Sequence, residues 1–317
     1  MNNEIKKIKD CAPLEEVSLI LRLSDVQIKK TSTNADYASM LAYDGTDKIE
    51  AKMWKFTDEL REKLVSGEVY VVNGRMKDYQ GKLQLNITDI NKVSENDNID
   101  LNAFYESAKL DGEELAKLIN GYYSKIQNDF LKNITSVLLK KHFKDFFDYP
   151  AAVTMHHNYY HGLAYHTYSM LRLADAYLDL YPFLNRDLVY SGIILHDLGK
   201  IIELSGPKGT EYTKAGKLLG HIAIGANEVY SVACDLGIEK TEEILNLIHI
   251  ILSHHGELEY GSPKQPSTPE AMLVHLLDFS DSRMASLEPE VLKTQKGEYT
   301  QQLSAFERRN FYIPDID

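Results

Sequence analysis

The sequence predicts a multi-domain α+β protein in which a small N-terminal β-barrel precedes an all-α helical bundle. Three observations indicate this: strand-like patterns over residues 14–95, a polar segment rich in Asn and Asp at 92–102, and helical periodicity from Glu113 onward. We therefore expect a barrel domain at 1–95, a linker at 96–112 and a helical domain at 113–317.

The first region has the order of three strands, one helix and two strands. The runs VSLILRL, DYASMLAYD and DKIEAKMW have β-rich or alternating patterns, whereas FTDELREKLVSG has a helical period that ends at Gly67. The stretch EVYVVNGRMKDYQGKLQLNITDI supplies two further strands around a turn at Tyr79-Gln80-Gly81. This order is that of an OB-fold, a five-stranded barrel that binds oligonucleotides.

The second region has helical periodicity throughout. A cap residue, a proline and an acid at Thr268-Pro269-Glu270 indicate the start of the last predicted helix. The predicted helices lie near residues 113–146, 163–180, 186–201, 217–236, 241–256 and 269–285.

Charge and cysteine content narrow the class of protein. The net charge is −12, and 20 of the 35 basic but 31 of the 47 acidic residues follow residue 95. This excess argues against binding of nucleic acid by bulk electrostatics, and a helical domain that handles phosphates would need cations.

Cys11 and Cys234 form neither a disulfide framework nor a zinc motif. With no signal-peptide core and no apolar run near about 18 residues, we expect a cytoplasmic protein with no membrane partner.

Histidine and aspartate residues recur about once per predicted helix in the second region. Antiparallel helices of a bundle can aim such side chains at one interior point. Imidazole nitrogens and carboxylate oxygens together suit Mn²⁺, Fe²⁺ or Zn²⁺. The candidate metal ligands are His166, His196, Asp197, His221, His254, His255 and Asp278.

Each candidate also has an ordinary structural interpretation. A lone histidine on an apolar helix is more often hydrogen-bonded in the core or at the surface, and we keep that interpretation for His142, His161, His249 and His275. Asp278 alone would be a polar interruption of a helix, paired with Arg283. The combination of a His-Asp doublet, a His-His doublet and further His-bearing and Asp-bearing helices favours a metal site.

These residues resemble the HD-domain superfamily of metal-dependent phosphohydrolases, whose signature is His…His-Asp…Asp. The additional His221 and His254-His255 resemble the subset with two metal ions. The motifs HHNYYHGLAYHTYSM, HDLGKIIELSGP, YTKAGKLLGHI and SHHGELEYGSPKQP, the barrel pattern and the closing FYIP resemble the YhaM family of 3′→5′ exoribonucleases over nearly the whole chain. His161 and the segment DFSDSR depart from that pattern, which leaves the roles of His161, Ser280 and Asp281 open.

The resemblance implies hydrolysis of single-stranded RNA, and of single-stranded DNA as a second substrate, from the 3′ end with release of nucleoside 5′-monophosphates. It implies that His166, His196, Asp197 and Asp278 match the core ligands, that His221, His254 and His255 match the second-metal set, and that Asp197 bridges two ions. Two such ions clamp the attacking and leaving oxygens and lower the pKa of a water molecule. We expect divalent Mn, with Fe, Zn, Ni and Co as alternatives.

Catalysis and substrate binding are assigned to further residues. Asp197 and Lys200 are the candidate catalytic residues, because Lys200 shares a helix face with the His196-Asp197 doublet and presents a cation to the phosphate. The alternative for Lys200 is a helix-terminal lysine that interacts with the helix dipole. The alternative for Arg283 is an ion pair with Asp281 or Glu290. The candidate substrate-binding residues are Lys200, Arg283, Tyr212, His157, Trp54, Tyr79 and Lys77.

Two rival functions remain open from the sequence. The first is an HD-type phosphohydrolase or phosphodiesterase acting on small nucleotides, although a free nucleotide requires no barrel and the downstream segment HHGELEYGSPKQP lacks the Gly-Tyr-Pro motif of cyclic-dinucleotide enzymes. The second is a non-catalytic OB-fold adaptor, against which the intact ligand set argues. The sequence is also compatible with a homo-oligomer.

Overall fold

The first compact unit is a closed five-stranded barrel. The structure is a computed structural model that describes residues 6–79, 81–94, 99, 101–152, 159–208 and 210–316. The chain divides into two compact units, Met1–Glu106 and Ser107–Asp317. The barrel strands pair in the order β1-β2-β3-β5-β4, with β4 returning to β1, and β3 and β5 pair in parallel. Its elements are β1 (Glu16–Lys30), β2 (Asp36–Tyr43), β3 (Lys48–Met53), α1 (Asp58–Lys63), β4 (Val69–Tyr79) and β5 (Lys82–Lys92).

Alternation of side chains explains the barrel. Along β1, Val17, Leu19, Leu21 and Leu23 all point into the core, as a period of two requires. The side-chain oxygen of Thr57 accepts a hydrogen bond from the N–H of Leu60 and so caps the helix between β3 and β4. The predicted OB-fold order of three strands, a helix and two strands is confirmed.

The first unit extends beyond the last barrel strand. Phe104 and Tyr105 are buried, and the Tyr105 hydroxyl donates to the carbonyl oxygen of Gly67 at 2.9 Å. Both residues lie within the segment 96–112 that the sequence predicted as a linker, and the boundary between the units follows Glu106.

The second unit is a bundle of helices around one apolar core. No helix among the described residues is both long enough and apolar enough to span a membrane. The helices are α2 (Gly112–Lys125), α3 (Asp129–Lys141), α4 (Phe143–Asp148), α5 (Gly162–Leu180), α6 (Arg186–Leu195), α7 (Lys200–Glu203), α8 (Lys214–Asp235), α9 (Glu242–Ser253) and α10 (Pro269–Lys293).

Two predicted helices are interrupted in the structure. The predicted helix at 113–146 is wrong as a single element: it is α2, α3 and α4, because Asn128 caps α3 with its side chain and His142 leaves the helical region. The predicted helix at 186–201 ends at Leu195, and α7 begins at Lys200 after a tight turn. Apolar periodicity continues through both breaks, so it could not reveal them.

Candidate metal centre

A buried helix carries the His196-Asp197 doublet into the bundle. Residues Leu188 to Leu195 of α6 are all buried, so the doublet that follows is buried too. Beyond Leu195 the hydrogen bonds shorten to three-residue steps, from the N–H of Leu198 to Leu195 and from the N–H of Lys200 to Asp197. This turn places Asp197, which is 2% exposed, at the centre of the site.

Two glycines allow α8 to approach that turn. A Cβ on Gly199 would lie 2.0 Å from the carbonyl oxygen of His221 and 2.7 Å from the nitrogen of Gly225, so only glycine fits there. Gly220, with φ of 73°, interrupts α8 immediately before His221. The N–H of His221 therefore begins a new helical turn, and it donates to Glu203 Oε1 at 2.9 Å.

The candidate ligands converge around the Asp197 carboxylate. Its Oδ2 lies 3.3 Å from His196 Nε2 and 3.8 Å from His166 Nε2. Its Oδ1 lies 3.5 Å from His221 Nε2 and 3.6 Å from His254 Nε2. The side chains form two groups, in each of which the ligand atoms lie within 4.8 Å of one another. These groups are His166, His196 and Asp197, and His221, His254 and His255.

Every histidine in these groups uses Nδ1 for a hydrogen bond away from the centre. Such a bond fixes the tautomer and directs the Nε2 lone pair inward, as in metal sites. Two of the acceptors are carboxylates and three are backbone carbonyls. The pairs are His166 with Asp281 at 2.6 Å, His221 with Glu203 at 3.1 Å, and His196, His254 and His255 with the carbonyls of Ile193, Ile251 and Tyr260 at 2.7 Å each.

Buried polar atoms at the centre fit a cation. Asp197 Oδ1, His221 Nε2 and His254 Nε2 have no hydrogen-bond partner among the described residues. Such atoms cost free energy unless a ligand satisfies them. His166 Nε2 and His196 Nε2 approach each other to 3.3 Å although both rings use Nδ1 elsewhere. Nitrogen and carboxylate oxygen without thiolate suit a divalent transition metal.

The electrostatics keep the ligands in useful charge states. Burial and the neighbouring His254 lower the pKa of His255 to about 4, and burial lowers the pKa of His254, so both rings are neutral. Burial alone would raise the pKa of Asp197, but Lys200 and His196 hold it well below its ordinary value. His254 and His255 therefore offer neutral imidazoles and Asp197 an ionised carboxylate, which is the state that binds a cation.

Asp278 joins the first group through His166. Its Oδ1 lies 3.2 Å from His166 Nε2. Burial disfavours ionisation of this acid, but the hydrogen bond with His166 and the charge of that ring act together with the other neighbouring histidines to lower the pKa of Asp278. Burial likewise disfavours a charged His166, yet its hydrogen bonds to Asp278 and Asp281 raise its pKa to about 10. Without a bound cation, His166 therefore carries a proton on Nε2 as well, and a cation at this site would have to displace it.

A cavity of about 390 Å³ opens beside the centre. Lys200 lines it and lies 2.7 Å from Asp197 Oδ2; although burial opposes its charge, that carboxylate raises the pKa of Lys200. Tyr212, which forms a bridge to Leu204, is exposed at the cavity wall. Residues at helical spacing on α10 also line the cavity: His275, Asp278, Phe279, Ser282 and Arg283.

Arg283 does not form the ion pair that the sequence left open. Within the described part of the chain, its guanidinium has no carboxylate partner and instead lies over two aromatic rings, 4.8 Å from the centroid of Phe279 and 5.4 Å from that of Phe306. Phe279 lies one helical turn before Arg283, so the two side chains are neighbours on one face of α10. Asp281 does not pair with Arg283 because its carboxylate accepts a hydrogen bond from His166.

The remaining candidates belong to the barrel or lie outside the described residues. Trp54 and Tyr79 are 45% and 51% exposed, and Lys52 lies over both rings at 5.7 and 5.5 Å from their centroids. Trp54 also stacks on Tyr37 with centroids 4.7 Å apart, and Lys77 is exposed on β4. Tyr70, a further aromatic residue of the barrel strands, is buried: its hydroxyl donates to the carbonyl oxygen of Lys63 and accepts from the N–H of Val65. His157 lies outside the described residues.

Three residues that the sequence did not assign to the site orient its histidines. Glu203 and Asp281 hold His221 and His166, and His275 donates from Nδ1 to the carbonyl oxygen of His254 at 2.9 Å. The only signal in the sequence was the position of Glu203 seven residues after His196 and of Asp281 three residues after Asp278. His161 is structural: it has φ of 65° at the start of α5, and its ring hydrogen-bonds to the carbonyl oxygen of Phe147.

An OB-type barrel and a helical domain with a His and Asp centre define a class: a nucleic-acid-binding fold joined to a metal-dependent phosphohydrolase. Family models agree, since the HD domain matches residues 163–281 and the OB-fold nucleic acid binding domain matches residues 22–93. An HD domain implies dependence on a divalent metal.

The chain is 43% identical over 300 residues to the 3′-5′ exoribonuclease YhaM of Geobacillus sp. (strain WCH70), with 95% of this chain and 92% of the relative covered. It belongs to the YhaM family of 3′-5′ exoribonucleases, and the resemblance inferred from the motifs is confirmed. The second OB-fold domain of replication protein A from Methanococcus maripaludis, solved by NMR, matches 28% of this chain and 95% of its own with 15% identity and a TM-score of 0.24, which is too weak a likeness to add to this assignment.

Proposed function

We propose that the chain is a divalent-metal-dependent exoribonuclease that shortens single-stranded RNA from its 3′ end and releases nucleoside 5′-monophosphates. The observation that carries the proposal is the convergence of imidazole Nε2 atoms on both oxygens of Asp197, in a member of a family of such enzymes. Single-stranded DNA is a second substrate under the same proposal.

Each oxygen of Asp197 faces one of the two histidine groups, which supports a bridging role between two ions. His166, His196 and Asp278 would hold one ion, and His221, His254 and His255 the other. When bound, such ions activate water and stabilise the charge that develops on a phosphodiester. The chain itself fixes the ligands through their Nδ1 hydrogen bonds and excludes solvent by burial.

Lys200 supplies a fixed positive charge at the same point. Its side chain is 12% exposed, is ion-paired with Asp197 and lines the cavity. This position supports contact with a phosphate oxygen of the strand, and its bond to Asp197 also orients that carboxylate. Tyr212 offers an exposed ring at the cavity wall on which a base can stack.

The barrel supplies a platform for the strand. Tyr37, Trp54 and Tyr79 expose aromatic surface around Lys52, and Lys77 adds a second cation. Aromatic faces stack on bases while lysines contact phosphates, which is the usual way in which OB-folds hold single strands. The platform therefore supports a polymeric substrate rather than a free nucleotide.

We propose manganese as the ion, because imidazole and carboxylate ligands without thiolate suit Mn²⁺. Such ligands also accept other first-row divalent ions, since they discriminate among metals less than thiolates do. A cytoplasmic location is supported by Cys11 and Cys234, which are both free thiols.

The test is hydrolysis of 5′-labelled single-stranded RNA with Mn²⁺, beside the variant Asp197→Ala. We expect a ladder that shortens from the 3′ end and nucleoside 5′-monophosphates as the products, with both absent in the variant. Hydrolysis of a nucleotide panel without shortening of RNA would instead identify a small-nucleotide phosphohydrolase. Binding of RNA by the wild-type chain without any hydrolysis would identify an adaptor.

A further inference from the structure

Arg283 is held by aromatic rings rather than by an acid. It is half-buried on α10 and lines the cavity beside Asp278. Its contacts are the rings of Phe279 and Phe306, and across the described ranges no hydrogen bond or ion pair engages its guanidinium. Cation–π contacts hold the guanidinium plane without using its N–H donors.

Phe306 reaches Arg283 from a folded C-terminal hairpin. The arms of this hairpin, residues 297–313, are joined by hydrogen bonds from Gly297 to Ile313 at 2.8 Å and from Leu303 to Arg309 at 2.9 Å. Phe306 lies at the tip, where its ring packs edge-on against Phe311 with centroids 4.8 Å apart. The hairpin therefore presents Phe306 from a fixed frame.

The tip has an unfavourable backbone conformation. Glu307 and Arg308 have φ of 54° and 61°, in the left-handed region that L-residues other than Gly, Asn and Asp rarely adopt. Consecutive residues of this kind persist only where the surrounding structure determines them. The turn returns the chain directly after Phe306, which keeps that ring against Arg283.

The two cationic side chains that line the cavity differ in whether a carboxylate already occupies them. Lys200 is bound to Asp197, whereas Arg283 keeps its N–H donors. A planar guanidinium with free donors suits the oxygens of a phosphate in a bidentate fork. Arg283 and Phe306 both follow residue 281, where the match to the HD domain ends, so that match assigns neither.

We propose that Phe306 is a positioning residue that holds Arg283 in the cavity wall, where Arg283 binds a phosphate of the RNA strand. The inference rests on the proposed function. Under this proposal the C-terminal hairpin is part of the substrate site and does more than pack against α10.

A double-mutant cycle on the full-length protein tests the inference, with kcat and KM measured on single-stranded RNA in Mn²⁺. Arg283→Ala should lower kcat/KM by about 10- to 100-fold, the range for loss of charge-assisted hydrogen bonds. Phe306→Leu, which keeps apolar packing but removes the ring, should lower kcat/KM by about 5- to 20-fold through KM. The double variant should be no worse than Arg283→Ala, and Phe306→Tyr should restore wild-type kinetics.

The control is Tyr299→Ala, an exposed ring at the other end of the same hairpin, which should keep wild-type kinetics. Thermal melting of each variant separates unfolding from loss of positioning. If the two effects multiply in the double variant, or if Phe306→Leu leaves KM unchanged, the positioning role is wrong while the exoribonuclease assignment stands. If the wild-type chain does not shorten RNA, the proposed function fails, and this inference fails with it.

Discussion

Each clustered histidine donates from Nδ1 to a group outside the centre, but the acceptors differ in kind. Backbone carbonyls hold His196, His254 and His255, so substitution cannot remove those acceptors. Carboxylates hold His166 and His221, and such acceptors increase the basicity of the ring as well as orienting it. Glu203 and Asp281 are therefore the positions at which side-chain chemistry can tune the centre.

Glu203→Gln should weaken metal binding without unfolding the chain. The amide oxygen can still accept a hydrogen bond, but the charge that increases the basicity of His221 is lost. We expect the dissociation constant for Mn²⁺ to rise by about 10- to 100-fold, as measured by calorimetric titration. Glu211→Gln, at an exposed acid in the following loop, is the matched control. Equal affinity in the two variants would contradict the role of Glu203.

Trp54 should report directly on RNA binding, because it is the single tryptophan and is 45% exposed on the barrel. In an Asp197→Ala background, which prevents hydrolysis, addition of single-stranded RNA should quench its fluorescence. Trp54→Ala should cost about 1–3 kcal/mol of binding free energy, measured by anisotropy of labelled RNA. Trp54→Phe should lose less. Unchanged fluorescence at saturating RNA would remove Trp54 from the interface.

At the scale of elements, the junction of α6, α7 and α8 builds the centre. The His196-Asp197 doublet follows the end of α6, and the turn at 196–199 brings Lys200 into contact with Asp197. Helix α8 packs closely enough against this turn for His221 to approach the same carboxylate. The contact of α8 with the turn depends on the missing side chain of Gly199. The geometry of the second histidine group is thus set by backbone packing.

Gly199→Ala should separate α8 from the turn. The added methyl would overlap the backbone of His221 and Gly225, and overpacking of a close contact costs about 1–3 kcal/mol or more. We expect a lower free energy of unfolding in urea and weaker Mn²⁺ binding. Gly121→Ala, where a Cβ meets nothing within 4 Å in helix α2, should instead be neutral or stabilising. Full Mn²⁺ affinity in Gly199→Ala would contradict the packing argument.

At the scale of the whole molecule, the proposed RNA binding and the proposed chemistry fall in separate units with separate cores. The barrel core includes Leu19 and Leu21, whereas the helical core includes Ile193 and Ile250. Most of the excess negative charge follows residue 95, in the part of the chain that holds the candidate metal centre. Bound metal ions and basic side chains are thus required in this unit, because an anionic RNA strand would otherwise be repelled by its negative charge.

Addition of Mn²⁺ should stabilise the helical unit alone. At 100 times the dissociation constant, binding adds about 2.7 kcal/mol to the free energy of unfolding. For a unit of this size, that corresponds to a rise in Tm of about 5–10 °C. Circular dichroism at the helix band follows this transition, and Trp54 fluorescence follows the barrel. A shift in both, or a shift that persists in Asp197→Ala, would contradict the assigned centre.

A truncated chain of residues 107–317 should keep Mn²⁺ binding and lose most of its affinity for single-stranded RNA. The reason is that the aromatic and basic platform of Trp54, Tyr79 and Lys52 lies in the removed unit. Mn²⁺ titration and RNA anisotropy on the same preparation check both statements. RNA affinity equal to that of the full chain would show that the barrel does not bind the substrate.

Prediction from the sequence succeeded where a local pattern has one structural meaning. Alternation in VSLILRL and the helix before Gly67 indicated the OB-fold, and the spaced histidines and aspartates indicated side chains that the fold brings together in one cluster. Prediction failed where the pattern continues through a change of structure, as at Asn128, where a side-chain cap interrupts an apolar period.

The sequence by itself thus determined the order of the elements, the class of the site and the family, because these depend on residue type and spacing along the chain. Only the tertiary structure decided that Glu203 and Asp281 orient histidines, that Tyr70 is core while Trp54 is exposed, and that Arg283 meets Phe306 rather than an acid. The physical reason is that these contacts join residues from different elements, or depend on which face of one element is covered. Packing sets both, and spacing along the chain does not encode them.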